Sequence, residues 1–287
     1  MKNKKKIILA TAAAAVLVAL AVGVYAFVTR GKDDRQLAAL PLSGAKFDAG
    51  ESPAHLIAHR GYTLAAPENT LPALIAAGQK QYRYVAFDVR ETLDGVLVLM
   101  RDETVDRSTN GKGKVSRLTL FELLEFDIDT AGKQEEYGEL KIPTVEQALD
   151  VCTNYGLAAF IEVRQVGPQG LRNLMKYLDE RNLSYACIVV SSNIEDLNEI
   201  KKINPKAGLC FLDEEIDEKT AQACRKAGMK YAFDSAEKSS TPERIKQMMR
   251  DDTALELVCS SVNDLDTLKK MHSAGVRFFM TDCIVPG

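Results

Sequence analysis

The sequence predicts an α/β protein built as one (β/α)8 TIM barrel, preceded by a single apolar N-terminal segment. Three observations predict this fold. Eight short β-rich runs recur from residue 54 onward, and segments of helical period separate most of them. No Gly-rich phosphate loop follows an early run, as a doubly wound open sheet would require. The runs are 54–59, 84–90, 158–163, 186–191, 207–212, 230–234, 255–260 and 276–281. Helical periodicity covers 70–79, 169–181, 194–203, 216–227, 242–250 and 264–273. Pro242 stands at a first turn, and Gly228 and Gly275 fall just past C-termini, as helix punctuation requires. Strands alternating with helices imply parallel pairing through crossover helices, and about eight such units close a barrel.

The elements follow in order. Residues 1–6 form a basic tail with Lys2, Lys4, Lys5 and Lys6, and 7–28 carries no charge. As a helix that stretch would run about 33 Å at about 1.5 Å per residue, enough to cross a bilayer. It exceeds the roughly 7–15 apolar residues of a cleaved signal peptide, so the expectation is an uncleaved transmembrane anchor. The lysines keep the N-terminus in the cytoplasm, which predicts a single-pass protein of the cell membrane with its C-terminal domain extracytoplasmic. Residues 29–52, with Gly31, Pro41, Gly44 and Gly50, read as a linker, and 53–287 as the barrel domain.

One segment breaks the alternation. Thr92-Leu93-Asp94-Gly95 separates run 84–90 from a second apolar run, Val96 to Met100. Asp-Gly between β-rich runs signals a hairpin, which would return Arg101 and Asp102 to the C-terminal end of the preceding strand. An insertion at about 91–157 follows from this, with one helix at 119–126 and a solvated loop from Arg107 to Lys114.

The formal net charge of −3, with no basic run in the body of the chain, gives nucleic acid nothing to bind. Six cysteines are scattered singly without a CxxC, and Cys187, Cys210 and Cys259 sit in apolar runs. Buried thiols are expected, rather than a disulfide framework or a thiolate metal site.

Barrel enzymes carry their chemistry at the C-terminal strand ends. Those ends hold His59-Arg60-Gly61, Asp88, Arg101-Asp102 on the hairpin, Glu162 with Arg164, and Thr281-Asp282. Asp88 and Glu162 are placed to hold a hard divalent cation through oxygen. Arginines beside them suit phosphate oxygens, and His59 suits acid, base or nucleophile work on a phosphodiester. His55, at the start of its strand, and His272, on an outer helix, are not placed to take part.

Nine blocks in order carry a family resemblance: HRG at 59–61, PENT at 67–70, DVRETLDG at 88–95, RSTNGKGKV at 107–115, LTLFELL at 118–124, IPTVEQAL at 142–149, IEV at 161–163, SVND at 261–264 and AGVRFFMTD at 274–282. Together they resemble the glycerophosphodiester phosphodiesterase family, of the PLC-like phosphodiesterase type, over nearly the whole domain. The resemblance implies a barrel, a divalent cation (Mg2+ or Ca2+), and hydrolysis of glycerophosphodiesters to an alcohol and glycerol 3-phosphate. It makes His59 the first of two catalytic histidines, Arg60 a phosphate contact, and Asp88 and Glu162 metal ligands.

The departures are specific. The expected third carboxylate is Ala86, the second histidine is Arg101, a lysine is Arg164, and a strand-seven tryptophan is Ser260. Arginine does not titrate in proteins, and losing a general acid or base removes about 10²–10⁴-fold of rate. Ala86 and Arg101 together shift the mouth from metal binding toward metal-free anion binding. The expectation is that Arg101 stands where the cation would, with Arg60, Arg101 and Arg164 as the phosphate-binding set. A small phosphodiester or lipid headgroup is the expected partner. Three readings stay open: a slow or altered phosphodiesterase using His59, a non-catalytic headgroup-binding relative, and an interaction scaffold.

Overall fold

In the computed structural model, residues 46–47, 54–131, 134–235, 240–250 and 255–287 are described, all within the compact unit Leu42–Gly287. The strands in chain order are β1 (Lys46–Phe47), β2 (His55–His59), β3 (Tyr84–Glu91), β4 (Leu97–Leu99), β5 (Ala158–Val163), β6 (Ile188–Ser191), β7 (Gly208–Leu212), β8 (Lys230–Asp234), β9 (Leu257–Ser260), β10 (Phe278–Thr281) and β11 (Val285–Pro286). The sheet order is β2-β10-β9-β8-β7-β6-β5-β3-β4, and an added β2–β3 pairing closes the ring. Every pair within the ring is parallel, while β4 runs antiparallel to β3 as the outer arm of the expected hairpin. All eight β-rich runs of the sequence became barrel strands.

The helices are α1 (Leu71–Gln79), α2 (Leu120–Leu123), α3 (Gln134–Tyr137), α4 (Val145–Tyr155), α5 (Pro168–Glu180), α6 (Ile194–Ile203), α7 (Glu218–Ala227), α8 (Pro242–Arg250) and α9 (Leu265–Ala274). Their starts follow local chemistry: Thr70 accepts from the Ala73 N–H, and Asn193, Asp217 and Asp264 cap α6, α7 and α9 in the same way. Left-handed Gly156, Gly228 and Gly275 end α4, α7 and α9.

Inside the ring, Ile57, Ala86, Phe160, Ile188, Val190, Cys210, Ala232, Val258, Phe278 and Met280 form one buried cluster. The barrel is therefore a packed core, with polar chemistry confined to its ends. His55 packs at the N-terminal end, its ring 4.8 Å from that of Phe278, and burial above all lowers its pKa. Cys152, Cys187, Cys210, Cys224 and Cys259 are buried, and burial pushes the Cys187 thiol up to about 11.

Three features differ from the sequence reading. The insertion has its own core, in which Val98, Val105, Val115, Leu123 and Ile142 are buried together. Residues 107–114 are accordingly tied down, with bridges Thr104–Lys114 and Thr109–Ile128. The insertion's end also holds α4, which opens on a capping box between Thr144 and Gln147. Lys46–Phe47, in the stretch expected as linker, pairs with Val285–Pro286 beside the barrel.

The membrane placement needs correction. Among the described residues no helix is long and apolar enough to cross a membrane. A span takes about 20 residues, and α5, for example, has 13. This overturns the single-pass, extracytoplasmic localisation expected from residues 7–28, a segment that lies outside the described residues.

Gly61 follows β2 with φ +88°, and a Cβ there would meet the Ala73 backbone carbon at 2.6 Å. Backbone cannot yield as a side-chain tip can, and this φ disfavours any L side chain. Gly61→Ala is expected to cost about 2–4 kcal/mol, read as a lowered urea midpoint with an unchanged m-value.

Candidate functional site

Alternation and register build the mouth. Side chains two apart on a strand share a face. Ile57, Ala86, Phe160 and Met280 point into the barrel core, so His59, Asp88, Glu162 and Asp282 stand one layer above them. The ladder pairs His59 with Ala86, Asp88 with Glu162, and Thr281 with Ala58. Residues far apart in sequence are thereby brought to one rim.

His59 Nδ1 lies 2.9 Å from Asp282 Oδ1, and Asn263 Nδ2 donates to the other oxygen of Asp282 at 2.7 Å. The His59 hydrogen bond, despite burial, holds the Asp282 carboxyl below the usual carboxylate range. An ionised carboxylate only accepts, so Nδ1 carries a proton, and in the neutral ring Nε2 is the nitrogen with the free lone pair. Asp282 was not assigned a role from sequence. It lies at a strand end like the others, yet its partner stands at the opposite end of the chain.

Arg60 has a left-handed backbone, φ 60°, just ahead of Gly61. Its Nε lies 3.1 Å from Asp88 Oδ2 as an ion-pair contact, and its Nη1 donates to Glu68 at 2.6 Å. Asn69 brackets this turn. Its backbone N–H donates to the Arg60 carbonyl, its Oδ1 accepts from the Asp88 N–H, and its Nδ2 donates to Asp88 Oδ2, both at 3.0 Å. Glu68 and Asn69, both in the PENT block, are thus positioning residues that sequence reasoning left unassigned.

Arg164 joins the two candidate metal ligands to each other. Its Nε donates to Asp88 Oδ1 at 2.7 Å, and its Nη2 lies 2.5 Å from Glu162 Oε1. For Asp88, burial works to raise the pKa, but Arg164, Arg60 and Asn69 outweigh it and hold the group ionised. Glu162 goes the other way: burial first, then the Asp88 charge, raise its pKa against the pull of Arg164.

Arg101 is where the expectation fails. Its side chain is 45% exposed, its ion-pair partner is Asp102 at 3.5 Å, and its carbonyl accepts from Arg90 Nε. It follows the outer arm of the hairpin and its ion pair is with Asp102, whereas both carboxylates are bridged by Arg164. Arg164 does so because it lies on β5's continuation, two residues past Glu162 on the same face. Arg107, expected on a solvated loop, reaches Glu68 and Asp102 and links the insertion to the rim.

The set does not fit a hard divalent cation. Such an ion takes several oxygen donors, and among the described residues no group of three or more His, Cys, Asp or Glu converges. Asp88 and Glu162 already accept from guanidiniums, and Ala86 adds only a methyl group to the barrel core.

The linkage at Asp88 has a testable sign. A depressed native pKa contributes stability above the unfolded value of about 3.9, and that stability is lost as pH falls through the native value. Asp88→Asn is expected to cost about 3–5 kcal/mol at neutral pH, since it leaves two guanidiniums without their carboxylate. The gap between parent and variant narrows below about pH 4, as thermal melts across pH would record.

The comparisons with known proteins agree with this architecture. A sequence model described as the glycerophosphoryl diester phosphodiesterase family matches residues 59–285. The glycerophosphodiester phosphodiesterase of Caldanaerobacter subterraneus subsp. tengcongensis is 34% identical over 161 residues, 54% of this chain and 66% of that protein. Human glycerophosphodiester phosphodiesterase 1 is 34% identical over 142 residues, 49% of this chain and 43% of that protein. The chain spans less than two thirds of the length of either relative. Among solved structures, an Oleispira antarctica phosphodiesterase in complex with the product sn-glycerol-3-phosphate has a TM-score of 0.72 at 23% identity, covering 80% of this chain and 93% of that one. A glycerophosphodiester phosphodiesterase from Agrobacterium tumefaciens has a TM-score of 0.65 at 21% identity, covering 80% and 96%. At these identities the structures speak to the fold.

Proposed function

The chain belongs to the glycerophosphoryl diester phosphodiesterase family, and from that premise we propose that its barrel mouth binds small glycerophosphodiesters and hydrolyses them slowly to an alcohol and glycerol 3-phosphate. One observation carries the reading: an imidazole oriented by Asp282 stands at the same rim as two guanidiniums, Arg60 and Arg164, anchored on Asp88. Arginine forks suit the paired oxygens of a phosphodiester. The product bound by the Oleispira protein supports the same ligand chemistry.

Hydrolysis breaks the phosphorus–alkoxide bond and forms a phosphorus–oxygen bond to water. One proton must leave the water and one must reach the departing oxygen. His59, with its Nε2 lone pair, is the group placed to accept the first, or to attack phosphorus itself. Arg101, in the place of the family's second histidine, does not release a proton. His59 therefore serves both transfers in turn, and the rate falls about 10²–10⁴-fold short of a two-histidine site.

The second reading is a headgroup-binding relative without turnover, favoured by the guanidinium at position 101. The two are separated by incubating the full chain with glycerophosphocholine and glycerophosphoethanolamine and measuring glycerol 3-phosphate. Slow release that scales with enzyme supports hydrolysis. Binding without release supports the second reading, and absence of both overturns the proposal.

A further inference from the structure

We infer that the Arg164 guanidinium is a built-in replacement for the family's divalent cation, so that this mouth takes a phosphate-bearing anion with no metal ion. The inference rests on the functional reading above only for the identity of that anion.

Asp88 and Glu162 face the barrel axis from adjacent positions of neighbouring parallel strands, where strands lie about 4.8 Å apart. Two carboxylates at that spacing repel when both are ionised, and a cation between them relieves the repulsion. Arg164 supplies it, with Nε on Asp88 at 2.7 Å and Nη2 on Glu162 at 2.5 Å. The second oxygen of Asp88 is taken by Asn69 Nδ2 at 3.0 Å and Arg60 Nε at 3.1 Å. Asp88 is only 2% exposed, so a metal ion would have to displace a guanidinium from a closed site and strand it there.

The charges point the same way. Asp88 already faces the guanidiniums of Arg164 and Arg60, and Glu162 faces that of Arg164, so neither carboxylate is left unpaired for a dication. A third carboxylate at position 86 would supply one. Alanine stands there instead, in register with His59 and Phe160. Ala86 thus removes a ligand, while Arg164, which keeps the charge of the family's lysine, brings a fork that reaches both remaining carboxylates.

Two consequences follow. The Arg164 side chain stays 29% exposed and that of Arg60 15%, both anchored on Asp88. An anion then meets fixed hydrogen-bond donors in place of an exchangeable ion. A guanidinium also cannot activate a bound water as a metal does, which leaves that task to His59.

The test is calorimetry on the full chain with Mg2+ and with Ca2+, alongside binding of sn-glycerol 3-phosphate in EDTA and in Mg2+. The expected result is no uptake of either ion below millimolar concentration, and product affinity in EDTA within about twofold of that in Mg2+. The double variant Ala86→Glu with Arg164→Met is expected to gain Mg2+ binding and a Mg2+-dependent rise in melting temperature. Micromolar uptake of either ion by the parent, or product binding that requires Mg2+, overturns the inference, and this holds whether or not the double variant folds. Failure of the product to bind under any condition overturns the functional reading instead, while the ion titrations still decide this one.

Discussion

His59→Ala is expected to reduce glycerophosphocholine hydrolysis by at least about 10³-fold, to the background of the assay, while affinity for sn-glycerol 3-phosphate changes less than about threefold. The asymmetry follows from the layout. In the proposed reading, anion contacts come from Arg60 and Arg164, both anchored on Asp88, and none of these depends on the imidazole. Imidazole-mediated proton transfer depends on it, because His55 packs at the N-terminal end of the barrel and His272 lies on α9 outside it. Asp282→Asn should fall between parent and His59→Ala. It removes the negative charge that strengthens the bond from Nδ1–H and replaces one acceptor oxygen with a donor, so kcat drops and KM holds, with a changed pH profile that a merely structural role would not produce. Equal rates in parent and His59→Ala would refute the assignment.

Arg101→His is expected to raise kcat by about 10²-fold or more, by supplying the second proton-transferring group. Position 101 is suitably placed: the Met100 N–H donates to the Asp88 carbonyl at 3.0 Å, so the next residue leaves the ladder beside the rim. The substitution should be nearly free in stability, within about 0.5 kcal/mol, because a half-exposed arginine held by one loose ion pair contributes little. An unchanged rate, with the fold intact by thermal melt, would show that the missing imidazole is not what limits turnover. The headgroup-binding reading would then be preferred.

Much of the fold was legible in the sequence. Strand runs such as 158–163 and 230–234, and helices such as 194–203, coincide with Ala158–Val163, Lys230–Asp234 and Ile194–Ile203. The Asp94-Gly95 hairpin formed as its residues dictate. Such features are set by neighbours along the chain, through period, caps and turn chemistry. Helix α4 was missed although its capping box, Thr144 with Gln147, was on view; it lay in a stretch read only as insertion.

The candidate site divides differently. Which residues occupy the strand ends was determined by the sequence alone: His59, Arg60, Asp88, Glu162, Arg164 and Asp282 stand where alternation puts them. Which of them meet was decided by tertiary structure. His59 finds Asp282 only because β10 closes on β2. Arg164 rather than Arg101 spans the two carboxylates, because one leaves the barrel rim and the other the outer hairpin arm. Arg107 joins the rim because the insertion folds on a core of its own. Periodicity is a local property of the chain, whereas the pairing of charges depends on register and closure between strands far apart in sequence.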